Sequence, residues 1–174
     1  MAEKDMLETL VKRVQALEDA EAIRGLKARY AELVDSRYAK GAAKPADEIA
    51  PIAAAIAALF TEGAVWDGGA LGLCSGRDAI RERMAVPTLR FSRHYFVNSD
   101  IRVDGDHARG RWELLAPCTS RENLPMWMAG AEDDEYERVG GVWLHARMQL
   151  SVHFFAPHER GWAKRNGGAD RVSA

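Results

Sequence analysis

The chain has 174 residues, 47% of them hydrophobic and 29% charged, with a formal net charge of -2. That length fits one domain, able to bury roughly 70% of the surface its unfolded form exposes, so it can keep a core and still hollow out a pocket. No concentrated basic footprint, apolar leader or run of about 20 apolar residues occurs, so the reading is no nucleic acid, no membrane and a cytoplasmic protein.

From Met6 to Val34 the apolar residues recur at three- and four-residue steps, the spacing of an amphipathic helix. The register slips at Asp19–Glu21, where Asp19 can cap a second helix, so a short leading helix and a main helix ending near Asp35–Tyr38 are expected. Gly41 and Pro45 punctuate residues 38–51, a segment of extra length. Asp47–Phe60 reads as the next helix, with Pro51 in its early turns where the missing N–H does least harm. Ala64–Asp67 reads as a short strand stopped by Gly68-Gly69, and Gly76–Met84 as a third helix.

The second half changes period. Arg90–Val103, His107–Ala116, Trp127–Arg138 and Val142–Phe155 read as strands, with hairpin-turn chemistry at Asp104-Gly105-Asp106 and Gly140-Gly141. In the last strand Val142, Leu144, Ala146, Met148, Leu150, Val152 and Phe154 alternate with more polar neighbours and make one apolar face. Helices first and hairpins second define an α+β domain over residues 1–160, its helices packed in the concave face of a curved, mostly antiparallel sheet. Residues 161–174, rich in Gly and charge, read as a frayed tail. Cys74 and Cys118 match no metal or redox spacing and read as reduced thiols.

LEDAEAIRGLKARYAELVDSRY, GAVWDGG followed by SGRDAIRERM, and DDEYERVGGVWLHARMQLSVHFFAP resemble the opening helix, the first strand with the third helix, and the last hairpin of the SnoaL-like, nuclear-transport-factor-like superfamily. The last hairpin is similar to that of γ-hexachlorocyclohexane dehydrochlorinases. EAIRGLKARYAELVD and DGDHARGRW are similar to segments of bacterial bile-acid 7α-dehydratases. The resemblance covers most of residues 18–157 and implies a cone-shaped, cystatin-like α+β barrel.

It also implies a site. In both lyase groups an aspartate ends the first long helix and a histidine sits on the first long strand; the matching positions here are Asp35 in ARYAELVD and His94 in SRHYFVNSDIRVD. Tyr30 matches a tyrosine that bile-acid dehydratases keep in their site, but it lies on the stripe of Ile23 and Leu26, which favours core packing with an incidental hydrogen bond over a donor role. Where those dehydratases carry a further catalytic acid just after their GRW segment, this chain reads GRWELLA, which puts Ala116 near that position. An aspartate at a helix C-terminus opposes the macrodipole, so an anion kept there calls for a cationic or donor partner. Imidazole titrates near the working pH of a general base, and a carboxylate on its other nitrogen fixes the tautomer.

Trp66, Phe96, Trp112, Leu114, Met148, Leu150 and Val152 are the candidate lining, suited to a small hydrophobic molecule. The resemblance implies a homodimer or homotrimer through the outer sheet face, with Trp143, Arg147, His153 and Phe155 as interface candidates. His107 and His145 read as surface residues, His158 as part of the tail, and the acidic run Glu132–Glu135 as a solvated strand entrance. No spacing of His and carboxylates suits a metal, and no Gly-rich phosphate loop appears, so no metal and no cofactor are expected. Three functions follow: a cofactor-independent dehydratase-type lyase acting on a steroid- or polyketide-like ring, a double-bond isomerase of the ketosteroid type, and a non-catalytic module that holds a hydrophobic ligand.

Overall fold

The computed structural model describes residues 2–160; the tail expected over 161–174 lies outside the described residues. Helix α1 is one continuous element, Ala2–Ser36, not two. Asp19 lies in its interior and caps nothing. Its carboxylate instead accepts hydrogen bonds from Arg138 Nη2 (2.7 Å) and Trp143 Nε1 (3.1 Å), which pin the middle of the helix to the sheet. The slip in apolar register marks where α1 meets the body: residues 4–18 are exposed, while Ile23, Lys27, Tyr30 and Val34 are buried.

Two-residue strands β1 (Tyr38–Ala39) and β2 (Ala42–Ala43) form a hairpin through Lys40 and Gly41, both at positive φ, and take up the extra length of the 38–51 segment. Helix α2 (Ala46–Ala57) follows Pro45 and carries Pro51 in its first turns. Phe60 belongs to strand β3 (Phe60–Asp67), which is longer than its sequence suggests. Strand β4 (Leu73–Ser75) and helix α3 (Arg77–Ala85) come next, α3 tied to β3 by two Arg77 hydrogen bonds to the Phe60 carbonyl.

Five strands follow, β5 (Phe91–Ser92), β6 (Tyr95–Asp104), β7 (His107–Thr119), β8 (Pro125–Val139) and β9 (Val142–Pro157), and short 3-10 turns lie at Gly69–Leu71 and His158–Arg160. Strands β3 to β9 form one curled sheet in the order β4-β3-β9-β8-β7-β5, with β6 also on β7; β3 and β9 run parallel and the other pairs antiparallel. The chain is therefore the expected α+β half-barrel, with α1 crossing its concave side against β6 and β9 and packing on α2. The core runs from Tyr30, Ile56, Phe60, Trp66, Ile80 and Met148 through Ile23, Trp112, Tyr136 and Trp143 to Leu114, Met128 and Leu150.

Strand β9 departs from its simple alternation. Tyr136 pairs with His145 but Glu135 pairs with Arg147, so Ala146 is an extra residue on β9; Gly130 pairs with Val152 and Ala129 with Phe154, so His153 is a second. A bulge reverses which side each later residue faces. Trp143 and His145 thus point inward and are buried, whereas Val142, expected on the inner face, is exposed. Trp143 is core rather than an interface residue, and His145 is core rather than surface. Gly130 fits the second bulge because a Cβ there would stand 2.5 Å from the Ser151 carbonyl oxygen.

Candidate active site

Asp35 is the penultimate residue of α1, where the helix dipole works against its charge. The chain between β5 and β6 supplies the compensation. Arg93 and His94 interrupt what the sequence presents as one strand, and this break frees the His94 backbone N–H from the ladder. It donates to both Asp35 carboxylate oxygens at 3.1 Å. His94 Nδ1 lies 2.7 Å from Asp35 Oδ1, and Arg93 Nε 3.4 Å from Oδ2. With Nδ1–H facing the carboxylate, Nε2 carries the free lone pair, and it makes no hydrogen bond among the described residues. The His94 ring stacks on Phe96 with centroids 6.1 Å apart, which fixes its plane.

His94 borders two voids. One is an open groove of about 770 Å³ between α1 and β6, edged by Arg24, Glu32, Arg93 and Asn98. The other is a cavity of about 60 Å³ inside the cone, lined by His94, Tyr30, Trp66, Leu114 and Leu150 together with Arg37, Arg83 and Glu132. Tyr30 accepts a hydrogen bond from Trp66 Nε1 at 3.2 Å, which leaves its own proton to donate. Burial, reinforced by the charge of Glu132, pushes its phenol well above the ordinary range, so it stays neutral.

The other expected lining residues divide. Met148 lies in the core beneath the cavity, and Phe96 and Trp112 edge the groove instead. Val152 is not lining at all: it is 42% exposed, next to the second β9 bulge. The cavity is also not purely apolar. Arg37 is buried, donating from Nε to the Val34 carbonyl and from Nη1 to the Met84 carbonyl.

The acidic run of β8 is the largest correction. Glu132 and Asp134 are buried, not a solvated entrance, and both bind Lys27 Nζ, Asp134 at 2.7 Å. The ammonium also sits 4.2 Å from the Phe96 ring centroid, a cation–π contact. Tyr136 donates to Asp134 Oδ2 at 2.8 Å and accepts from Trp112 Nε1 at 2.9 Å. Burial pulls the Lys27 pKa down, but the two carboxylates outweigh it and hold it above its usual value. Burial and the neighbouring Glu132 push Asp134 up to about 6 against the pull of Lys27. Two signals in the sequence point to this cluster. Lys27 interrupts the apolar stripe between Ile23 and Tyr30, and Glu132 and Asp134 share the parity of Tyr136.

A curled sheet closed by helices, with an oriented histidine–aspartate pair beside an interior cavity, defines a cystatin-like cone with a candidate acid–base site. The chain belongs to the SnoaL-like domain family, whose sequence profile matches residues 51–149. That span includes His94 and Glu132 but not Tyr30 or Asp35. No sequence among the curated proteins matches the chain. Among solved structures it is similar to a type 2 hexachlorocyclohexane dehydrochlorinase, at 21% identity over 87% of this chain and 96% of that one (TM-score 0.69). It is also similar to the type 3 enzyme of Novosphingobium barchaimii, at 22% identity over 81% and 90% of the two chains (TM-score 0.67). A third is an NTF2-like protein with a cystatin-like fold from Novosphingobium aromaticivorans, at 24% identity over 83% and 88% (TM-score 0.65). At these identities the likeness shows the fold. Among the described residues no helix is long and apolar enough to cross a membrane.

Proposed function

We propose that the protein is a cofactor-independent lyase of the cytoplasm that performs a β-elimination on a small hydrophobic ring compound. The observation that carries this reading is the 2.7 Å contact between His94 and Asp35, with the other imidazole nitrogen unengaged beside a cavity that Tyr30 shares. His94 Nε2 takes a proton from carbon, the C–H electron pair becomes the new double bond, and the neighbouring C–O or C–Cl bond breaks. Asp35 holds the tautomer and stabilises the imidazolium. Tyr30 donates its proton to a departing hydroxide, and the imidazolium proton then returns through solvent to the Tyr30 phenolate; a departing chloride takes no proton, and the imidazolium then releases its proton to solvent. Arg37, which lines the cavity, offers positive charge to the leaving anion.

The substrate class is a cyclic alcohol or chloride of steroid- or polyketide-like character. Ligand pockets usually measure about 300–1,000 Å³, so the 60 Å³ cavity must widen to admit a ring. Thr88 and Leu89 line it from irregular backbone between α3 and β5, the wall least held by ladder hydrogen bonds. The similar structures named as dehydrochlorinases support an elimination.

One observation favours a second reading. Glu132 places a carboxylate inside the cone, where a ketosteroid-type isomerase would keep its base, although Lys27 already occupies one of its oxygens. The test is to incubate the protein with hydroxylated and chlorinated cyclic compounds and follow product mass. Loss of water or hydrogen chloride, abolished in His94→Ala, supports the lyase. Unchanged mass with a shifted double bond indicates an isomerase, and binding without turnover overturns both.

A further inference from the structure

Residues 4–18 of α1 run clear of the body, and every one of them is exposed. They are not polar all round. Met6, Leu7, Leu10, Val11, Val14 and Leu17 are between 46% and 71% exposed, while Lys4, Asp5, Glu8, Lys12, Arg13, Gln15 and Glu18 occupy the other faces. Leu7, Leu10, Val14 and Leu17 follow each other at steps of three, four and three, the a and d positions of two heptads. An apolar stripe along several turns, left in water, marks an interaction surface.

We propose that two copies of this chain pair through these segments as a parallel, two-stranded coiled coil. The seam suits a copy of itself because its flanking charges complement each other in one direction. In a parallel pair Arg13, at a g position, meets Glu18 of the partner subunit, at e, and symmetry makes this contact twice. An antiparallel pair instead sets Arg13 against the partner's Arg13. Met6 and Val11, at g and e, widen the apolar strip. Val14 at a, with Leu10 and Leu17 at d, is the pattern that favours two strands. The next a and d positions are Glu21 and Arg24, so the seam ends where α1 joins the body.

The body permits this arrangement. At about 100° per residue, the seam lies about 150° around the helix from the face carrying Ile23, Lys27, Tyr30 and Val34. A partner helix therefore approaches from the side opposite the sheet, which sets the two cones outside the pair. Short free helices are marginal because their first turn is costly to form, but these segments continue a helix already held by the core. The outer sheet face is a different surface: exposed ion pairs such as Arg111–Asp133 and Arg109–Glu135 lie beside a smaller apolar pair, Tyr95 and Leu115, across β6 and β7. This inference does not depend on the reading of the active site.

The experiment is light scattering behind size exclusion on the full chain, with circular dichroism to confirm the fold of each variant. The wild type should run at twice its 19.3 kDa. Leu10→Lys combined with Val14→Lys should weaken the dimer by roughly 100-fold or more, since two apolar layers are lost. Arg13→Glu should weaken it less, and adding Glu18→Arg should restore it. Arg111→Glu, on the outer sheet face, should leave it unchanged. A monomeric or trimeric wild type, a dimer that survives the double lysine variant, or a charge swap that fails to restore pairing overturns the proposal.

Discussion

Two aspartate–histidine neighbours lie in one cone and have opposite characters. Asp35 and His94 are joined at 2.7 Å, with the free imidazole nitrogen beside a cavity. Asp134 and His145 are fully buried and stand 3.9 Å apart, and both ring nitrogens of His145 and Oδ1 of Asp134 lack a hydrogen-bond partner among the described residues. Lys27 makes the difference. Its ammonium and the Tyr136 hydroxyl claim the near oxygen of Asp134. Burial, aided by the Lys27 charge, holds the His145 pKa well below its usual value. His145 therefore stays neutral and packs as an aromatic plate among Tyr30, Phe60 and Tyr136. The pair of residue types does not make a base; an oriented ring with an accessible lone pair does.

The sharpest way to break this contrast is to remove each histidine in turn. His94→Ala should lower turnover by ~10²–10⁴-fold, with the fold intact by circular dichroism. His145→Phe should keep turnover within a factor of a few; equal losses in steady-state assays would erase the distinction. Next comes Lys27→Met, which strands two buried carboxylates and should cost about 3–5 kcal/mol in urea unfolding. A loss below about 1 kcal/mol would mean that the cluster is effectively solvated.

Acid sensitivity separates the deep pair further. Asp134, raised from 3.8 to about 6, contributes stability that is present at low pH and is lost as pH rises through about 6. His145, lowered from 6.5, contributes stability that is present above about 6.5 and is lost as pH falls. The two oppose each other below about pH 6. Asp134→Asn should therefore lose stability on acidification more steeply than the wild type, and His145→Phe less steeply. Identical slopes in urea titrations across that range would show that neither group titrates as described. The smallest expected effect is that of Tyr30→Phe on stability, about 1 kcal/mol, because it leaves the Trp66 N–H without its acceptor. Its effect on turnover, if larger, would mark the hydroxyl as the donor to the leaving group.

Much of the fold was legible because its signals are local. Helical spacing placed α2 and α3 within a few residues, and turn chemistry at Gly105 and Gly140-Gly141 placed both long hairpins. The site was legible in part: motif resemblance pointed to Asp35, His94 and Tyr30, and the structure gathers them around one site. Trp143 and His145 were misread for one reason: strict alternation was carried along β9 past Ala146, which breaks it. Val152 keeps the parity of Met148 and Leu150 but lies exposed where the second bulge begins. Glu132 and Asp134 were misread because four consecutive acids resemble a solvated run, although alternate members of a strand face opposite ways.

By itself the sequence determined the α+β class, the helix-then-hairpin order and the three- and four-residue apolar spacing of the leading segment, since each depends on neighbours a few positions away. Tertiary structure alone decided which β9 residues face inward, and that Lys27 is met across 105 and 107 positions by two carboxylates. It also decided that His94, rather than His145, keeps a free nitrogen beside a void. A bulge moves a side chain across a sheet without altering its composition, and a buried charge is stable only where distant partners converge on it.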